Sequence, residues 1–148
     1  MRALLNTKLR LAVALVVALL ALPLAVAYTA HLPAPPKGSS GNYQTVEMMA
    51  DSFRIDGITY KRGHSVDGDA SGDYYWTLTS AKGWHIFAVE DEEDVHLDLG
   101  GGQTEVPIPA NSSVNVTFTV PSTCGKTWTF YCERHRNMEF TWSSAACS

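Results

Sequence analysis

Three side chains that bind soft metals lie close together near the end of the chain. Cys132, His135 and Met138 follow one another at C-x2-H-x2-M spacing. A thiolate, an imidazole and a thioether form a ligand set that favours copper, and two histidines, one cysteine and a weak axial methionine make a blue-copper arrangement. The loop supplies only one histidine, so the pattern requires a second one elsewhere.

His85 is the best candidate for that second histidine. It lies in the apolar run 84–89, which a strand could place beside the loop. The other histidines suit the role less well: His64 lies in a predicted turn, His96 alternates with apolar residues and is expected to face solvent, and His31 falls in a predicted linker. The predicted metal ligands are therefore His85, Cys132, His135 and Met138.

Each of these residues also has an ordinary structural explanation. Cys132 alone would be read as a buried thiol, His85 as a hydrogen-bonded core histidine, His135 as a solvated loop residue, and Met138 as core filler. The combined spacing favours the metal site, because a tight loop can turn its three ligands inward together.

The rest of the chain predicts an all-β sandwich or barrel of about eight strands. Short apolar and aromatic runs are separated by turn residues, with no long segment of helical period. The clearest alternation places Val114, Val116, Phe118 and Val120 on one face. The predicted strands cover 46–53, 58–60, 74–79, 84–89, 95–99, 106–109, 114–120, 127–132 and 138–142.

The first 27 residues have the pattern of an export segment. Positions 1–10 carry three basic residues and no acidic one, 11–27 is an uncharged apolar stretch expected to be helical, and Ala25-Val26-Ala27 is an A-x-A cleavage pattern. A retained membrane anchor is the alternative, since about 17 apolar residues is the short limit for a span. Both alternatives predict an extracytoplasmic domain: periplasmic, cell-surface or secreted.

A segment rich in Pro, Gly and Ser follows over 28–44 and predicts a linker, with the folded domain at 45–148. Eight basic residues follow Arg10 against fifteen acidic residues, a formal charge of −7. That balance argues against nucleic acid as a partner.

The remaining two cysteines suggest a disulfide. If a hairpin turns near His135, Cys124 lies opposite about residue 146, next to Cys147. An exported domain would allow the bond to persist. Three unrelated buried thiols are the alternative.

With these residues in view, the block from about Val46 to Trp142 resembles a cupredoxin, a blue copper protein of the plastocyanin/amicyanin kind. The resemblance lies in H-x-F-x-V at His85, in the strand Val114–Val120, and in F-Y-C-x-x-H-x-x-M at Phe130–Met138. The short loop is more similar to that of amicyanin. The resemblance implies a Greek-key sandwich, one copper per chain, and a monomeric one-electron carrier that meets redox proteins and is not an enzyme.

One residue departs from that family pattern. Ile86 follows the first histidine, where many members carry Asn or Ser that ties the ligand loops together. Two other copper classes are excluded by position: Tyr131 and Glu133 flank the cysteine where a multicopper oxidase needs histidine, and Arg136 stands where a binuclear centre needs a second cysteine.

Charged residues near the site leave the partner open. The acidic run Glu90–Asp94 predicts either a solvated turn or a docking patch for a cationic partner, whereas Arg134 and Arg136 would select an acidic one. Asn111 and Asn115 each begin a glycosylation tripeptide, and Asn115 should point outward.

Two further functions remain open from the sequence. One is a copper delivery or storage protein of the same fold that does not shuttle electrons. The other is a metal-free sandwich that serves adhesion or assembly.

Overall fold

The computed structural model describes residues 30–144, and the regular elements in this range are strands. The predicted export segment 1–27 lies outside the described residues. Within 30–144, no helix has the length and apolar character needed to cross a membrane. The strands are β1 (Ala30–Leu32), β2 (Gln44–Met48), β3 (Phe53–Ile55), β4 (Ile58–Tyr60), β5 (His64–Val66), β6 (Gly72–Ser80), β7 (His85–Asp91), β8 (Glu105–Ile108), β9 (Ser112–Val120), β10 (Thr127–Cys132) and β11 (Glu139–Ser143).

The strands form two mixed sheets. One has the order β1-β5-β11-β10-β7-β8 and the other β4-β3-β2-β6-β9. Rings from the two sheets meet, as in Phe53 with Phe87 at 6.1 Å and Trp76 with Phe130 at 5.7 Å between centroids. The predicted all-β class is confirmed, and the arrangement is consistent with a sandwich; the sheets of the described region do not close into a barrel.

The central strands follow the predicted alternation. In β9, Val116, Phe118 and Val120 are buried, and Asn115 faces outward as predicted, where its Oδ1 accepts a hydrogen bond from Thr77 Oγ1 at 2.8 Å. A strand buried on one face keeps its register because a one-residue slip would turn every apolar side chain to solvent.

The described range has eleven strands where about eight were predicted. Strands β1 and β5 were not predicted, and two predicted runs differ from the structure. The run 46–53 is divided between β2 and β3 by a turn in which Met49 N donates to Ser52 O at 2.9 Å. The run 95–99 is not a strand and has only an isolated bridge from His96 to Glu90. Its alternation reflects two buried leucines in a loop, which ends where Asp98 Oδ1 accepts the N–H groups of Gly100 and Gly102.

The predicted linker 28–44 is also corrected, because its described part packs on the domain. β1 pairs in parallel with β5. Trp76 Nε1 donates to Pro36 O at 3.0 Å, and the Tyr60 hydroxyl donates to Pro33 O at 2.9 Å. A proline lacks an N–H but keeps its carbonyl, so this segment can satisfy polar atoms of buried rings. The described residues of this segment therefore belong to the packed structure.

An aromatic core lies between the sheets and supports the end where the predicted ligands lie. Phe130 stacks on Phe140 at 5.0 Å, and Tyr74 stacks on Phe118 at 4.7 Å. Full burial of one such apolar side chain stabilises a fold by about 1.5–3 kcal/mol. Because Phe130 belongs to β10 and Phe87 to β7, this packing fixes both strands that end at the predicted site.

Candidate metal centre

Antiparallel pairing brings two of the predicted ligands to one end of the same sheet. His85 is the first residue of β7 and Cys132 is the last of β10. The register pairs Cys132 with Phe87 and Tyr131 with Ala88. The start of one strand therefore lies beside the end of the other, and both side chains are buried, at 0% and 3% exposed.

A short loop returns the third ligand to the same place. His135 N donates to Cys132 O at 3.1 Å, and Met138 N donates to His135 O at 2.8 Å. Cys132 N donates to Met138 O at 2.9 Å and closes the loop. These backbone hydrogen bonds fold 132–138 into a compact turn, so His135 lies over the thiol.

The three donor atoms have the separations of a metal site. Cys132 Sγ is 3.7 Å from His85 Nδ1 and 3.3 Å from His135 Nδ1, and the ligand atoms of all three residues lie within 4.8 Å of one another. Nitrogen and sulfur bound at about 2.0 and 2.3 Å to one ion, and about 120° apart, would be about 3.7 Å from each other. The observed separations fit that value, so the residues could hold a metal ion with little movement.

Burial and a backbone contact prepare His85 as a neutral ligand. Its Nε2 lies 3.3 Å from the Lys82 carbonyl, which makes Nε2 the protonated nitrogen and leaves Nδ1 with a lone pair toward the thiol. Burial lowers the pKa of His85 below 6.5; the Lys82 carbonyl opposes this, while nearby His135 and Arg134 lower it further. A metal would therefore compete with few protons at this nitrogen.

Ile86 ties the two ligand segments together through its backbone. Its N–H donates to Cys132 Sγ at 3.5 Å, and its carbonyl accepts from Glu133 N at 3.0 Å. The aliphatic side chain of Ile86 departs from the family pattern, in which Asn or Ser at this position ties the ligand loops together. The connection between the segments does not require a polar side chain here, since both of its hydrogen bonds use main-chain atoms.

The remaining predicted residues have different positions. Met138 is fully buried at the end of the loop, and its role as axial ligand stays a prediction. His31, His64 and His96 do not belong to the ligand group. His64 begins β5 and does not lie in a turn, contrary to its predicted place.

Only one of the two cysteines of the predicted disulfide lies within the described range. Cys124 is disulfide-bonded, whereas Cys147 lies outside the described residues, so the pairing of the two stays a prediction. The β10–β11 register pairs Thr127 with Ser143 and is thus centred on residue 135, as the hairpin hypothesis assumed.

Two neighbours of the site were not predicted. Trp84, next to His85, is 51% exposed, and the Arg134 guanidinium lies 5.2 Å from its ring centroid. The Tyr131 hydroxyl lies 2.9 Å from a Glu90 oxygen and 3.0 Å from a Glu133 oxygen. The sequence does place a tryptophan next to a candidate ligand, and that position could have indicated Trp84. The Tyr131 contacts depend on the strand register, and no sequence signal indicates them.

Comparison with known proteins identifies no relative: no family model matches the chain, and no curated protein does. The described region nevertheless brings together the three predicted nitrogen and sulfur ligands at distances that one metal ion requires.

Proposed function

We propose that this protein is a type 1 (blue) copper protein of the cupredoxin fold that carries single electrons. The observation that carries the proposal is the convergence of His85 Nδ1, Cys132 Sγ and His135 Nδ1 at the end of a rigid strand pair. In this proposal the carrier is monomeric, acts outside the cytoplasm and exchanges electrons with redox proteins without turning over a substrate.

The donor set supports copper as the metal. One thiolate and two imidazoles, with a thioether nearby in sequence, match the blue-copper ligand set and lack the carboxylates that harder metals prefer. Bound copper would supply a one-electron Cu(I)/Cu(II) couple. Met138 is the proposed axial ligand, since it closes the loop and is buried at the same end of the sheet.

The protein's contribution is to hold the ligands still in both oxidation states. The loop is fixed by its own backbone hydrogen bonds, and β7 and β10 are fixed by the aromatic core. Ligands that are already placed need little reorganisation when an electron arrives. The Ile86 N–H donates toward the thiolate sulfur and stabilises its negative charge.

His135 provides the route between the site and solvent. It is half-buried, whereas His85 and Cys132 are enclosed. Because electron transfer weakens steeply with distance, the ligand nearest the surface is the natural point of entry and exit.

Reconstitution with Cu(II) tests the proposal. We expect one copper per chain and an intense visible band from thiolate-to-copper charge transfer. The band should disappear in Cys132→Ser and His135→Ala, and it should persist in His96→Ala, a histidine outside the ligand group. A colourless protein that binds zinc but not copper would contradict the proposal.

Voltammetry separates the carrier from the alternative of copper delivery or storage. A carrier should give a reversible one-electron wave in repeated cycles. A protein that holds Cu(I) tightly but gives no reversible wave would instead support delivery or storage.

A further inference from the structure

We infer that the surface formed by Trp84, Arg134, His135 and Arg136, called here the tryptophan–arginine face, docks an acidic patch of a redox protein. The inference rests on the proposed function, because it assigns the partner's chemistry at the ligand through which electrons would pass. It also decides between the two docking possibilities that the sequence left open.

The two arginines of this face have no carboxylate partner in the part of the chain that the structure describes. Among residues 30–144, neither Arg134 nor Arg136 forms an ion pair with a carboxylate. This is notable in a region where acidic residues outnumber basic ones by fifteen to eight. The two guanidinium groups, one on either side of His135 in the sequence, attract a partner's carboxylates, which they can bind in bidentate fashion.

Carboxylates near the loop already have partners. Glu133 accepts from the Tyr131 hydroxyl, and Glu139 pairs with Arg62 at 3.1 Å. Both line the groove beside His135 and Arg136. Glu139 is thus compensated by Arg62, and neither Glu133 nor Glu90, which also lines the groove, forms an ion pair with Arg134 or Arg136.

Trp84 gives the face a flat apolar centre. It is 51% exposed, and Arg134 lies over its ring at 5.2 Å. This cation–π contact holds the guanidinium group beside the ring, and its N–H groups can bind a partner's carboxylate. Tryptophan and arginine are the residue types most enriched among energetically dominant interface positions.

Most carboxylates of the acidic run 90–94, by contrast, have partners within the domain. Glu90 accepts from Tyr131, and Asp91 pairs with Lys126. Glu92 accepts from the N–H of Thr127, while Glu93 pairs with Lys126 at 3.2 Å. Four of the five carboxylates in this run thus hold the β7 turn against β10. Glu92, Glu93 and Asp94 remain exposed, so the run forms a second charged surface, of the sign that repels an acidic partner.

An NMR titration of the Cu(I) protein with octaglutamate tests the face directly. We expect shift changes at the Trp84 indole and at the Arg134 and Arg136 side chains. Octalysine should not produce them, and they should weaken at high salt. Shifts centred elsewhere, or equal shifts with both peptides, would overturn the inference.

Charge reversal supplies the matched control. Arg134→Glu/Arg136→Glu should weaken octaglutamate binding by about tenfold or more at low salt, since electrostatic attraction changes association by about 10–10³. Arg54→Glu makes the same type of change on the other sheet, where Arg54 pairs with Glu47, and should have little effect. Arg134→Gln/Arg136→Gln repeats the test without adding negative charge, in case the double reversal unfolds the loop. Binding that is unchanged in both double variants would overturn the inference.

Electron transfer at modified electrodes gives the functional measurement. The copper protein should exchange electrons at least about tenfold faster at a carboxylate-terminated monolayer than at an ammonium-terminated one, despite its net negative charge. Equal rates with a reversible copper wave would overturn the docking surface alone. Loss of both the blue band and the wave, with octaglutamate still bound at Trp84, would overturn the proposed function alone.

Discussion

The two ends of the β7–β10 strand pair use their polar groups in opposite ways. At the far end from the candidate metal centre, Asp91 is buried and bonded to Lys126, and its Oδ1 accepts the N–H groups of Glu93 and Val95 at 2.9 Å each. At the other end, His85 and Cys132 are equally buried but converge on His135.

The difference separates a structural from a functional cluster of polar groups. Near Asp91, the carboxylates of Asp91 and Glu93 pair with Lys126, and that of Glu92 accepts a backbone N–H. Near Cys132 the donors are two imidazoles and a thiol, whose ligand atoms lie within 4.8 Å of one another with no carboxylate in the group. A soft metal ion is the natural complement of such a donor set.

The largest expected effect is loss of metal at one end with the fold retained. His85→Ala should lower copper affinity by well over a hundredfold, since changes to residues that merely support ligands cost about 10–100-fold. Competition with a chelator would measure the affinity. Asp91→Asn is the control and should leave it nearly unchanged; equal losses in the two variants would show that the ends do not have separate roles.

The second-largest effect should be a loss of folding stability when the Asp91 end of the strand pair is changed. Asp91→Ala removes the Lys126 ion pair and both turn hydrogen bonds, so we expect a clearly lower midpoint of thermal unfolding. Glu47→Gln, in the exposed pair with Arg54, should change the free energy of unfolding by only about 0–1 kcal/mol. Similar midpoints for the two variants would contradict the structural role of Asp91.

The Asp91 effect should depend on pH in a defined direction. The hydrogen bond from Lys126 lowers the pKa of Asp91; burial opposes this, and the Val95 and Glu93 N–H groups lower it further. The stabilisation is then fully present above the unfolded pKa of about 3.9 and is lost as pH falls through the lower folded pKa. The difference in stability between the wild type and Asp91→Asn should therefore shrink below about pH 4.

Sequence patterns predicted the all-β class and the Cys132–His135 part of the cluster because both depend on local signals. Alternation marks a strand buried on one face, as at Val116, Phe118 and Val120. The C-x2-H-x2-M spacing marks a loop that can close. His85 required only that its strand lie next to β10.

The other features depend on tertiary contacts that no local pattern encodes. Pro33 and Pro36 indicated a linker, yet their carbonyls accept hydrogen bonds from Tyr60 and Trp76. The roles of Ile86 and Lys82 use main-chain atoms, which every residue has. Which charges are compensated was likewise visible only from the packed structure.

A smaller effect concerns the protonation of His85 in the metal-free protein. Burial lowers its pKa below 6.5, so the folded state binds fewer protons than the unfolded one just below that pH. Stability should consequently fall as pH decreases from about 6.5 toward the folded pKa. His85→Phe should remove this contribution, and NMR titration should show His85 protonating below an ordinary histidine such as that of a short peptide; an ordinary pKa would contradict the burial argument.

The smallest expected effect is at Ile86, and it tests whether the ligand end depends on main-chain ties. Both contacts, to Cys132 Sγ and from Glu133 N, are made by backbone atoms. Ile86→Asn should therefore keep the blue band and change copper affinity by less than the roughly 10–100-fold typical of a residue that supports ligands through its side chain. Ile86→Pro removes the N–H donor and should weaken binding far more, because the sulfur loses its hydrogen bond and the strand its start. Equal effects of Ile86→Asn and Ile86→Pro would mean that the side chain, and not the backbone, connects the two ligand segments. Side chains would then organise both ends of the strand pair.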